Sequence, residues 1–167
     1  MSSPGFSPAP NPLPTVTAAA HAQQAAALHR GANWLFIIAG LSVVNVVSMV
    51  SGSHWIFLGG LGVTQLVAAV ALRMGTQAQL VALFINLWAT AFFVCVGYFG
   101  RKGQQWAFIT GMALYAVDAV IVVFIQDWLM LLFHGYVFYR IYMGYSSSKA
   151  LHAFDKQFTG SGMPYQP

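Results

Sequence analysis

Five apolar runs, at 34–50, 55–72, 80–98, 106–125 and 128–145, fill most of the middle of this chain, with only short polar breaks between them. Each comes close to the roughly 20 residues that a helix needs to cross about 30 Å of hydrocarbon. Apolar residues make up 58% of the chain and charged residues 6%. Soluble domains average roughly 45–50% and about 25%. So few charges cannot coat a water-soluble globule of this size, so the solvent must be lipid. Lipid offers no partner for open backbone groups, which leaves helices or a closed barrel. The alternation of a barrel strand is absent, and helices remain.

The reading is therefore an all-α integral membrane protein with five transmembrane helices in an up-down antiparallel bundle. The connections, SGSH at 51–54, the polar stretch near 74–79, GRKGQQ at 100–105 and Gln126-Asp127, are short enough to force neighbouring helices antiparallel. Trp34, Trp55, Trp106 and Trp128 each open a run and read as interfacial anchors. Asp127 before Trp128 suits a helix N-cap. The two-residue link is tight, so a second reading keeps four spans and makes 128–145 a re-entrant or interfacial helix.

Outside the runs, residues 1–16 hold five of the seven prolines and read as a disordered tail. Residues 17–32 are Ala-rich and read as a short helix leading into the first span. Residues 146–167 read as a polar tail, in which Leu151, Phe154 and Phe158 suggest a short interfacial helix over 149–158. No basic region precedes Arg30, so a cleaved signal is not expected. With five crossings, Arg101, Lys102, Arg140, Lys149 and Lys156 share one side and Arg30 and Arg73 the other.

Asp118 is the one charge deep within a run. Reflection about each loop gives relative depths. Asp118 is level with Asn86 across the 100–105 loop and with about position 135 across the 126–127 hinge. Gln65 is level with Asn86. The runs from the second to the fifth thus supply Gln65, Asn86, Asp118 and His134 to one polar layer. A charge at mid-membrane is costly, roughly 2.5–3.5 kcal/mol on insertion scales, so Asp118 should face inward and have a partner. His134 could serve as imidazolium beside a carboxylate, or as neutral imidazole sharing a proton with the acid. The residues leave that open. Most such polar groups simply hold membrane helices together.

GLSVVNVVS at 40–48 resembles GLGVTQLVA at 60–68. Gly40 and Ser48 in the first, and Gly60, Thr64 and Ala68 in the second, read as small-residue helix-packing positions. No second ligand shares the level of His134, and the histidines and Cys95 are scattered, so neither haem nor a metal site is expected. Neither a nucleophile elbow nor a P-loop is present, and the seven basic residues form no nucleic-acid patch.

Function follows only in outline. The expectation is a non-enzymatic bacterial inner-membrane protein, multi-pass, without cofactor. It would act as an accessory, assembly or scaffolding subunit through other membrane chains or self-association. One alternative is a small transporter or proton-coupled carrier using Asp118 and His134. Another is a binder or enzyme for a lipid-soluble ligand, with the polar layer as its head-group site.

Overall fold

The computed structural model describes residues 13–51 and 61–160, and every element among them is helical: α1 (Leu13–Val50), α2 (Gly62–Met74), α3 (Thr76–Arg101), α4 (Gln105–Ile125) and α5 (Trp128–Gly160). Three segments, Ala18–Ser48, Thr76–Arg101 and Gln105–Phe124, are long and apolar enough to cross a membrane. About a third of each is buried inside the protein. Their outer faces carry Ile37, Val47, Phe84, Trp88, Val117 and Phe124, which suits contact with acyl chains.

The count of five crossings is not supported. The second run does not form one helix over 55–72, because α2 begins only at Gly62. Its 13 residues rise about 20 Å, short of the roughly 30 Å of a hydrocarbon core. The fifth helix is long enough, but His134, Arg140 and four tyrosines (Tyr136, Tyr139, Tyr142 and Tyr145) dilute its apolar half, and it is not among the three.

α1 is the spine. It runs antiparallel to α3, with Asn33 meeting Arg101 and Phe36 meeting the site of Gly97. It is also antiparallel to α5, where Trp34 meets Tyr136 edge-on at 5.3 Å and His21 meets Phe154 at 5.4 Å. Leu28, Leu35, Ile38, Phe108, Val137 and Ile141 form the centre of the core. The helix begins at Leu13, inside the stretch expected to be a tail, and passes the expected boundary at 32 without a break. Residues 1–12 and 161–167 lie outside the described residues.

The polar stretch after Tyr145 is likewise no separate interfacial helix: α5 continues through it to Gly160. The reason is a partner. Ser148 donates to the Gly103 carbonyl at 2.7 Å, Leu151 packs on the core, and Asp155 reaches His21 at 3.8 Å. α5 thus has the α3–α4 turn and the N-terminal half of α1 to lean on.

The joint between α4 and α5 is a true turn. Gln126 takes a left-handed conformation (φ 60°, ψ 28°) and Asp127 Oδ1 accepts the Met130 N–H at 3.0 Å, capping α5. At Gly31 and Gly144 the helices α1 and α5 cross with their backbones in contact. A Cβ on Gly144 would lie 2.8 Å from Gly31 Cα, and one on Gly31 would collide with Gly144 backbone. Gly40 behaves otherwise: a Cβ there meets nothing within 4 Å, so it is not a close-packing position. Ser48 is half-buried, while Gly60 and the side chains of Thr64 and Ala68 lie outside the described residues. We expect Gly31→Leu to lower stability in detergent by about 1–3 kcal/mol through overpacking. Gly40→Ala should raise it by about 0.5–1 kcal/mol, because alanine loses less backbone entropy. Thermal unfolding of both variants checks the pair.

Candidate functional site

The turn at 126–127 folds α5 back along α4 and sets His134 against Asp118. Nε2 of His134 lies 2.9 Å from Asp118 Oδ2, and the two side chains are 1% and 4% exposed. The second feature of the site could not be read from the run of apolar letters. Asp118 also receives the start of α2: the Gly62 N–H donates to Oδ2 at 2.8 Å and the Val63 N–H to Oδ1 at 2.7 Å. A carboxylate on one helix thus caps another across the bundle.

Each partner explains part of this arrangement. The first N–H groups of any helix lack intrahelical acceptors and carry the positive end of the helix dipole. Leu61, at the N-cap position of α2, has no side chain able to satisfy them. Asp118 supplies both oxygens instead. Gly62 makes the approach possible, since a Cβ there would sit 2.7 Å from Val122 Cγ2.

The hydrogen bonds also determine the proton count. Nδ1 of His134 faces the Met130 carbonyl at 2.8 Å, an atom that only accepts, so Nδ1 carries hydrogen. Two bare lone pairs would repel at the Nε2–Oδ2 distance, so one proton lies between them. Whether it resides on the ring or on the acid, the pair is neutral overall. That is the arrangement a low-dielectric interior favours. The Tyr115 ring stacks on His134 at 4.5 Å with planes 9° apart, which holds the imidazole from its face.

Other polar groups are buried in the same bundle. Asn86 is 2% exposed and donates through Nδ2 to the Ala82 carbonyl at 2.8 Å, inside its own helix. It therefore does not join the pair. Ser42 returns its hydroxyl to Ile38 at 2.9 Å. Asn86 Oδ1, Thr90 Oγ1, Tyr115 Oη and both amide atoms of Asn45 are buried without a partner among the described residues. The side chain of Gln65 lies outside the described residues. Tyr115, Thr90 and the two N–H groups were missed at the sequence level. Tyr115 was findable, because it lies three residues before Asp118 on one helix face.

Beside the cap, a cavity of about 530 Å³ opens sideways between α2, α3 and α4. Phe84, Trp88, Phe92, Phe93 and Leu114 form much of its wall, and Asp118 is its one ionisable lining residue. Of the expected anchors, Trp34 is half-buried against Tyr136, while Trp106 packs on Phe99 at 5.2 Å. Trp128 is mostly exposed, and Trp55 lies outside the described residues. Among the described residues no group of three His, Cys, Asp or Glu side chains could hold a metal ion.

The three apolar helices and this buried pair define a helical membrane protein. Comparison with family models, with curated proteins and with solved structures finds no match to the chain.

Replacing Asp118 by Ala should destabilise the bundle by about 3–5 kcal/mol, since it strands a buried imidazole and two N–H groups together. Asp118→Asn should cost less, about 1–3 kcal/mol, because one amide oxygen can still accept. Hydrogen exchange localises the effect: protection of the Gly62 and Val63 amides should fall in both variants, and an unchanged rate would show that Asp118 is not the cap.

Proposed function

We propose that the protein is a non-enzymatic component of the inner membrane that works by binding, as an accessory or scaffolding subunit of a larger membrane assembly. The observation that carries this reading is the engagement of Asp118. Its carboxylate caps α2 and holds His134, so the one deep ionisable pair serves the architecture. Asp127 caps α5 and Asp155 stands beside His21, so none of the three acids of the chain is positioned for turnover.

The sideways cavity is the natural contact. Its wall is apolar, it faces the lipid side through Phe84, Trp88, Leu114 and Val117, and it is deep enough to take large side chains of a neighbouring membrane helix. A second reading rests on the same cavity: a lipid-soluble molecule with one hydrogen-bond donor would find in Asp118 its one ionisable lining residue.

Crosslinking in native membranes, followed by purification in mild detergent, tests the first reading. A partner chain should copurify with the wild type and be depleted at least tenfold with Ala89→Trp, which fills the cavity. Solvent extracts of the same preparations separate the second reading, because a bound small molecule would be lost in that variant while no chain is. A wild-type protein free of both would refute binding as the role. Proton flux in liposomes that Asp118→Asn abolishes in a folded protein would establish carriage instead.

A further inference from the structure

Six of the seven basic side chains gather at one end of the molecule. Arg101 and Lys102 end α3, Arg140, Lys149 and Lys156 follow on α5, and Arg30 joins them because α1 runs antiparallel to both. This changes the charge division expected for five crossings, which set Arg30 apart; only Arg73 remains at the other end. Four of these cations lie over aromatic rings: Arg101 on Phe36 at 4.6 Å, Lys102 on Tyr98 at 4.5 Å, Arg140 on Trp34 and Tyr136 at 5.8 Å, and Lys149 on Tyr145 at 5.7 Å. Tryptophan and tyrosine interleaved with Lys and Arg mark the level of lipid headgroups.

At that level the Gly31–Gly144 crossing leaves a notch of about 190 Å³ on the α1–α5 seam. Arg30, Arg140 and Tyr139 line it, with Ala27 and Met143 as its apolar sides. Neither arginine has a carboxylate within ion-pair range among the described residues. Each of the three acids already has another partner: Asp118 and Asp127 at helix starts, Asp155 beside His21. Among the described residues Arg140 has, besides its two ring contacts, a long contact from Nη1 to the Tyr136 hydroxyl, at 3.5 Å. Two arginines thus line one small concavity with no counter-ion among the described residues. Guanidinium binds phosphate oxygens in pairs, and basic notches between membrane helices suit phosphate-bearing headgroups.

We propose that the Arg30–Arg140 notch binds the phosphodiester headgroup of an anionic phospholipid in the leaflet at the cation-rich end. The phosphate lies between the two guanidiniums, Tyr139 supplies a hydroxyl at the rim, and the acyl chains descend past Met143. The positive-inside rule makes this leaflet the cytoplasmic one, with both described chain ends on its side. The inference is independent of the binding role proposed above, since it concerns a different face.

The test is lipid retention by the full chain in detergent, read by native mass spectrometry during titration with phosphatidylglycerol, phosphatidylcholine or inorganic phosphate. Phosphatidylglycerol should bind at one saturable site. Arg30→Gln and Arg140→Gln should each weaken it about fivefold, the loss expected for one basic residue near an anionic surface. The double variant should lose the site, while Lys156→Gln, outside the notch, should leave it intact. Arg140→Lys keeps the charge but not the paired donors and should weaken binding less than Arg140→Gln does, which separates loss of the site from loss of folding. Equal retention of phosphatidylglycerol by the wild type and the double variant would overturn the proposal. So would saturable binding of inorganic phosphate that excludes the lipid, which would make the notch a site for the free anion, or equal affinity for phosphatidylcholine.

Discussion

A helix that begins inside a membrane leaves N–H groups that lipid cannot satisfy, and the interior of this protein is built around the acceptor that meets two of them. Asp118 takes the Gly62 and Val63 N–H groups on its two oxygens and still holds His134. An unsatisfied backbone group costs several kcal/mol in hydrocarbon. An unpaired carboxylate there is more costly still. Each liability answers the other. The same contact joins α2, α4 and α5, so the short helix is held by chemistry as well as by packing.

His134 completes the arrangement because it can donate in two directions. Nδ1 returns to the Met130 carbonyl one turn earlier, and Nε2 meets the acid. The ring is thereby oriented and the pair made neutral, with Tyr115 closing one face. A lysine would bring the charge without the planar surface that Tyr115 stacks on. An asparagine would bring hydrogen bonds without a proton to share. The cavity next to Asp118 is walled almost wholly by apolar side chains, while the carboxylate is engaged by the start of α2 and by His134.

The two ends of the molecule differ in kind. At one, α1 and α5 run on together, braced by the Gly31–Gly144 contact and by Ser148 on the α3–α4 turn. Cations there lie on aromatic rings, and two arginines share a notch. At the other end, Asp127 and the left-handed Gln126 make a tight turn, and Arg73 is the only basic residue. Such asymmetry suits a chain whose orientation is set by basic residues rather than by bulk.

Much of this was readable from residue types. The scarcity of charge required lipid, lipid required helices, and a two-residue polar break required α5 to fold back on α4. Depth follows from counting along helices of known rise, so Asp118 and His134 could be set level without coordinates. The same counting failed where an apolar run is not one helix. Hydropathy reports which solvent a segment tolerates and not where its hydrogen bonding starts, so 55–72 looked like a crossing although α2 begins at Gly62. It also treats polar residues as ends of helices, which hid the continuation of α5 beyond Tyr145. Small residues were ambiguous for a related reason: Gly40 and Gly31 are the same letter, and only Gly31 has another backbone against it. Local chemistry along the chain thus determined the solvent, the helical class and the level of the acid–imidazole pair. Only the tertiary structure decided that the acid caps a distant helix, because a hydrogen bond to a backbone N–H depends on where that backbone lies and leaves no mark in the identity of the residue that donates it.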